Sequence, residues 1–208
     1  MTQTALLPAD APGSIERALR VVREGGLVAF PTDTVYGVGA AAFDGQAVGR
    51  IYEAKGRSEE KAIPVLLAGP SDLERVAVEV SPHLRWLAAH FWPGALTLVV
   101  AKHADLPMEV SPGPTVGLRV PDHPVALGLL AAAGPMAVTS ANRAGGPNPT
   151  TAAQVLAALG GRIELILDGG QTPGGRPSTV VDCTQHPPLL IRPGPIPLEA
   201  VLDCLARR

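Results

Sequence analysis

Lysine, cysteine and aromatic residues are all scarce in this chain of 208 residues, and each scarcity excludes something. Two cysteines, Cys183 and Cys204, are too few for a disulfide framework or for a metal site built mainly on thiolates. Aromatic side chains make up 3%, which removes the stacking platform that commonly holds single-stranded nucleic acid. No apolar run approaches the roughly 20 residues of a membrane span, and no basic stretch followed by an apolar segment opens the chain. A soluble cytoplasmic protein with no membrane partner is the expectation. The phosphate loop G-x-x-x-x-G-K-[ST], the dinucleotide fingerprint G-x-G-x-x-G and the nucleophile elbow G-x-S-x-G are missing too, so a hydrolase reading has no anchor. The five histidines, at 83, 90, 103, 123 and 186, lack paired metal-ligand spacing, and no metal site from protein alone is expected.

Charge of one sign is also lacking: the formal net charge is −2. That argues against a whole-surface electrostatic grip on a nucleic-acid backbone, while a local patch stays open. Among the cations, Lys55, Lys61 and Lys102 are the only lysines. Two of them sit in K-G-R-S-E-E-K at 55–61, which points to a lysine-specific need there. Composition drift is the alternative explanation of the skew.

What is present is ample apolar material, 46% of the residues, enough for one well-buried α/β domain. Residues 1–13 read as a loose leader. Ser14 is placed to cap a helix carrying Ile15, Ala18, Leu19 and Val22 on one face, which Gly25-Gly26 ends. Strands are expected at 27–30, 63–68, 95–100, 116–120, 136–139, 163–167, 179–182 and 189–191. Helices at 46–54, 84–91, 124–133, 152–158 and 197–205 separate or follow them, and 169–177 reads as a mobile connection. The alternation indicates a layered α/β fold with a mixed sheet.

Polar residues gather just after the expected strands, where open α/β sheets usually bind ligands. P-T-D-T-V-Y-G at 31–37 offers hydroxyls and a carboxylate suited to a small polar ligand; the alternative is a turn in which Asp33 and Thr34 cap local backbone. In the 55–61 run, the Lys55 ammonium beside the Arg57 guanidinium suits a polyphosphate, although the Glu59 and Glu60 charges also fit a solvated surface. A third cluster runs from Thr139-Ser140-Ala141-Asn142 through Arg143, Gly145, Gly146 and Asn148; here the alternative is a surface turn. Arg119 and Arg192 each end a strand shortly before a proline, and Ser178-Thr179 adds hydroxyls.

In this order the motifs resemble those of the YrdC-like family of threonylcarbamoyl-AMP synthases. The residues that carry the resemblance are F-P-T-D-T-V-Y-G at 30–37, K-G-R at 55–57, F-W-P-G-A-L-T-L-V at 91–99 and G-L-R-V-P at 117–121. T-S-A-N at 139–142, P-S-T-V-V-D at 177–182 and I-R-P-G at 191–194 complete the set. The resemblance implies a twisted open mixed sheet with flanking helices and a large concave basic cavity. It implies a single catalytic domain over 14–200 after the leader, in the short form of the family. It implies an enzyme that converts L-threonine, bicarbonate and ATP into threonylcarbamoyl-AMP and pyrophosphate, with Mg2+ arriving with ATP. A downstream complex would then transfer the threonylcarbamoyl group to tRNA. By motif matching, Lys55, Arg57, Ser140, Asn142, Arg192 and Thr115 correspond to the nucleotide site, with Lys55 and Arg57 on developing phosphate charge. Thr32, Arg119 and Ser178 correspond to the threonine site, with Thr34, Tyr36 and Thr139 as wall residues.

Ser58 stands where the family often has proline, and Ala62-Ile63 replaces its usual proline-leucine. Two alternatives stay open at this point: a tRNA- or double-stranded-RNA-binding protein of the same fold, and a synthase of a different carbamoyl-adenylate. If Lys55 and Arg57 act on the ligand, replacing either by alanine should cost activity more than folding. Comparing turnover with the melting curve of each variant checks this.

Overall fold

Capping chemistry sets several helix starts. The computed structural model describes residues 3–58, 60–173 and 175–207; Met1 and Thr2 of the expected leader and Glu59 of the charged run lie outside the described residues. In chain order the elements are β1 (Ala5–Pro8), α1 (Ser14–Arg23), β2 (Val28–Phe30), β3 (Gly37–Ala41), α2 (Gly45–Lys55) and β4 (Val65–Leu66). A 3-10 turn at Pro70–Asp72 leads into α3 (Leu73–Val76), then α4 (Pro82–Phe91), β5 (Leu96–Ala101), β6 (Thr115–Arg119), α5 (Pro124–Ala133) and β7 (Met136–Ser140). The chain continues with α6 (Ala152–Leu159), β8 (Leu165–Asp168), β9 (Thr179–Asp182), β10 (Leu189–Arg192) and α7 (Leu198–Ala206). Asp44, Ser81 and Thr151 each accept a backbone N–H from three residues on, starting α2, α4 and α6. Ser14 does not cap α1: Gly13 takes that place in the left-handed region, and the Ser14 hydroxyl donates to the Ala9 carbonyl at 2.7 Å.

The strands form one mixed ten-stranded sheet in the order β1-β8-β2-β3-β7-β4-β6-β5-β9-β10. Two strands depart from the sequence reading, as do the 3-10 turn and α3, for which no element was expected. Residues 5–8 are not a loose leader but an edge strand, paired parallel with β8, because alternating Ala5 and Leu7 pack onto the core. The domain bounds 14–200 are therefore too narrow, and at the other end fully buried Val201 brings α7 onto the core. β3, with the sequence G-V-G-A-A, escapes propensity rules, yet it lies between β2 and β7. Small residues are required there: a Cβ on Gly39 would lie 2.7 Å from the Ala137 carbonyl oxygen and 2.7 Å from a Val138 methyl.

The two sheet faces are covered unequally. On one face α2, α3, α4, α6 and α7 bury a core that includes Ile51, Val76, Leu87, Val155 and Val201. That core takes alternate residues Leu96, Leu98 and Val100 from β5 and Val116 and Leu118 from β6. On the opposite face α1 and α5 cover strands β1, β8, β2, β7 and β4 through Ala18, Val22, Leu129 and Leu130. Among the described residues, that second core holds none from β6, β5, β9 or β10. The intervening residues of those strands consequently face a hollow.

Gly39→Ala should lower stability by about 1–3 kcal/mol through overpacking. Gly49→Ala, in the interior of α2 with nothing within 4 Å of the added Cβ, should raise it by roughly 0.5–1 kcal/mol. Urea unfolding midpoints of the two variants should therefore move in opposite directions.

Candidate functional site

The hollow is a cavity of about 360 Å³, within the range of small-molecule sites. Its floor is the set of alternate strand residues that the helices leave uncovered: Thr97 and Val99 of β5, Thr115, Gly117 and Arg119 of β6, and Val180 of β9. Loop residues Thr32 and Thr34, and Val138, Thr139 and Ser140 of β7, form a second wall, while Ser178, Arg57 and Arg192 close it. Among the described residues that line it none is acidic, and three arginines do.

Each arginine is anchored by oxygens that leave it oriented. Arg119 is nearly buried; its Nη2 meets the Asp33 carboxylate at 2.5 Å, its Nη1 donates to Thr34 Oγ1 at 3.1 Å, and its Nε donates to the Gly94 carbonyl at 2.8 Å. The F-W-P-G turn thus serves to present a carbonyl. Burial holds the Arg119 guanidinium below its ordinary value, and the Asp33 charge opposes that shift. Arg57 donates to Thr139 Oγ1 at 3.0 Å and to the carbonyls of Lys61 and Ala62. At the Ala62-Ile63 departure, Ala62 supplies one of these carbonyls and Ile63 is fully buried. Arg192 donates to the Ser178 carbonyl at 2.9 Å and to Ser178 Oγ at 3.2 Å. Gly194 lies against the backbone of 177–179, where a Cβ would collide, which locks I-R-P-G to P-S-T. Arg57 and Arg192 are both lowered by burial first, and Arg192 further by Arg57. Cations that repel one another in a half-dry cavity are poised for an anion.

The expected residues divide into two groups. Arg57, Thr115, Ser140, Arg192, Thr32, Thr34, Arg119, Thr139 and Ser178 line the cavity together. Lys55, Asn142 and Tyr36 do not. The Lys55 ammonium is buried and donates to the Ser140 and Asn142 carbonyls and, at 3.4 Å, to Asn142 Oδ1. Burial, then the charge of Arg57, lowers it from 10.5 to about 8. Asn142 Nδ2 closes the 142–146 turn on the carbonyls of Arg143 and Gly146. Lys55 and Asn142 therefore brace the segment that carries Ser140. Tyr36, expected as a wall residue, points away into the core; its hydroxyl donates to the Gly170 carbonyl at 2.7 Å, and burial raises it to about 12.

Residues 31–37 turn out to be both a turn and a site. Thr32 Oγ1 accepts from the N–H groups of Thr34 and Val35, as the turn reading anticipated for neighbouring residues. Asp33 is used differently, as the partner of Arg119. Its carboxylate also accepts from Asp122 N at 3.0 Å. Nothing local in P-T-D-T signals that pairing, and Thr97, which also lines the cavity, lies in the 91–99 motif but is not among the expected site residues. Among the described residues of 169–177 there is no helix or strand, as expected, and Gly174 lies outside them.

An open mixed α/β sheet whose uncovered face gathers three guanidiniums among hydroxyls offers the donors that a small anionic ligand needs. The chain belongs to the Sua5/YciO/YrdC family: the family model, described as telomere recombination, matches residues 20–194. It is 47% identical over 189 residues to a threonylcarbamoyl-AMP synthase of Pyrococcus abyssi, covering 90% of this chain and 56% of that protein. With the Bacillus subtilis threonylcarbamoyl-AMP synthase it shares 45% over 190 residues, covering 90% and 55%. It thus spans little more than half the length of these relatives. The crystal structure of P. abyssi Sua5 complexed with L-threonine superposes with a TM-score of 0.91 at 43% identity, covering 98% of this chain and 60% of that one.

The bracing role of Lys55 changes the expectation for its substitution. Lys55→Met leaves three oxygens without their donor and should lower stability by about 1–3 kcal/mol at neutral pH. The folded state binds its proton less tightly than the unfolded chain, so the stability contribution of Lys55 rises as pH climbs from about 8 to 10.5. Unfolding midpoints at pH 7.5 and 10 should show this rise in the parent, superimposed on other titrations, and the increment should be absent from Lys55→Met.

Proposed function

We propose that the chain carries the threonylcarbamoyl-AMP synthase reaction, joining L-threonine, bicarbonate and ATP with release of pyrophosphate. The observation that carries this reading is the cavity wall itself: Arg57, Arg119 and Arg192 among threonine and serine hydroxyls, with no acidic side chain among its described lining residues. The names of the relatives, and the L-threonine complex of the Pyrococcus protein, support it.

In this reading the threonine amine first forms an N-carboxylate, either by adding carbon dioxide and releasing a proton or by condensing with bicarbonate and releasing water. A carboxylate oxygen then bonds to the α-phosphorus of ATP, the bond to the bridging oxygen breaks, and pyrophosphate leaves with that electron pair. Such chemistry depends on positioning and charge stabilisation, so no protein nucleophile is required. Arg119, held by Asp33, takes the threonine carboxylate, while Thr32, Thr34, Thr139 and Ser178 supply hydroxyls around the amino acid. Arg57 and Arg192 face the phosphates, and Ser140 and Thr115 orient nucleotide oxygens. Lys55 and Asn142 hold Ser140 in place from behind. Among the described residues no group of three or more His, Cys, Asp or Glu could hold a metal ion. Magnesium enters as part of its complex with ATP.

The product's place is upstream of transfer to tRNA by a separate complex, in the cytoplasm. Among the described residues no helix is long and apolar enough to cross a membrane.

Pyrophosphate release with magnesium and bicarbonate should require L-threonine, with the adenylate visible by mass spectrometry. Arg192→Ala should cut kcat/KM for ATP by roughly 10- to 100-fold while melting like the parent. Folded protein that releases no threonine-dependent pyrophosphate, or that binds RNA salt-dependently without turnover, would overturn the reading.

A further inference from the structure

Thr97 lies on β5 inside the cavity wall, with 1% of its surface exposed. Its Oγ1 is 2.8 Å from Ser178 Oγ, and either atom could be the donor by distance alone. Among the described residues Thr97 Oγ1 has no other hydrogen-bond partner. Its methyl occupies the space that a Cβ on Gly117 of the neighbouring strand would need, 2.9 Å from that position. Ser178 Oγ already accepts from Arg192 Nη2 at 3.2 Å.

The direction is decided by which hydroxyl opens more to the cavity: Ser178 is 5% exposed and Thr97 1%. A hydroxyl has one proton and two lone pairs. If Ser178 donated to Thr97, the leftover proton would sit on the less exposed of the two hydroxyls, which is the costlier place for it. If Thr97 donates, its proton is used and Ser178 Oγ fills both lone pairs, one from Arg192 and one from Thr97. The Ser178 proton is then free to point into the cavity. We infer that Thr97 is a positioning residue that sets Ser178 as a hydrogen-bond donor toward the ligand, so that the ligand atom facing Ser178 is an acceptor such as a carboxylate oxygen. The inference rests on the proposed reading that the cavity binds L-threonine beside Ser178. Arg192 bridges the two roles, since the guanidinium proposed to face phosphate also occupies the first Ser178 lone pair. The seating of the amino acid is thereby coupled to that arginine.

The test is a double-mutant cycle read by L-threonine binding in calorimetry and by the KM for L-threonine. Thr97→Val keeps the shape and removes the donor. It should raise both constants roughly three- to tenfold, the worth of one hydrogen bond, and leave kcat within about twofold. Thr97→Ser should restore binding to within about twofold of the parent. In a Ser178→Ala background, Thr97→Val should add no further loss, because its effect passes through Ser178. Thr97→Ala takes its place in the same cycle if the valine variant does not fold.

Unchanged or tighter binding in Thr97→Val would overturn the inference, since it would mean that Ser178 had been donating to Thr97. An additive loss on top of Ser178→Ala would overturn it as well, as a purely structural role. A folded parent that binds no L-threonine would overturn the proposed reaction and this inference together. Threonine-dependent turnover with an unaffected Thr97→Val would overturn this inference alone.

Discussion

A ten-stranded sheet has two faces to keep from water, and in this protein one of them is covered only halfway. Everything at the site follows from that shortfall. α1 and α5 bury one face from β1 to β4, and their core stops there. Beyond it, strand alternation keeps Leu96, Leu98, Val116 and Leu118 in the core of the opposite face and turns Thr97, Val99, Thr115, Gly117 and Arg119 to the cavity. The site is therefore built on strands whose other side is packed, which is the rigid support that a binding wall needs.

Buried charge is the second organising feature, and it is handled in two ways. Arg119 keeps its charge in a nearly dry place because Asp33, Thr34 and Gly94 surround it with oxygens. Removing one partner of such a pair is more damaging than never having built it. Lys55 is buried with carbonyl acceptors instead of a carboxylate, and it uses the short, three-donor ammonium to fasten the segment carrying Ser140. An arginine fork would not fit three oxygens converging on one point. That is the lysine-specific need hinted at by a composition with so few lysines.

All three cavity arginines are held below their ordinary values by burial, and in Arg119 the Asp33 charge opposes that shift without cancelling it. Preorganised donors of this kind are most useful where negative charge accumulates during reaction, because nothing has to reorganise at that moment. The same economy shows in the hydroxyls: Thr32 fastens its own turn and Thr139 anchors Arg57, each while facing the cavity.

Local sequence determined most of the elements. Apolar runs bounded by glycine, proline and capping residues mark the strands and helices because burial and backbone satisfaction are local requirements; α5 at 124–133 and β9 at 179–182 agree residue for residue. It also determined the motif set, nine of whose expected site residues share one cavity. What it could not determine lies in contacts between segments distant along the chain. β3 gives no strand signal because glycine is a poor strand former, and only the neighbouring β7 explains why nothing larger fits. Residues 5–8 become a strand only beside β8, some 160 residues later. Asp33 finds Arg119, Thr97 finds Ser178, and Lys55 turns inward to residues 140–142 through pairings 86, 81 and 85 to 87 residues apart. A side chain's partner depends on which way its strand or helix faces after packing. Residue type and spacing declare the chemistry available at each position, and the tertiary structure alone decides whether that chemistry meets a ligand or another part of the chain.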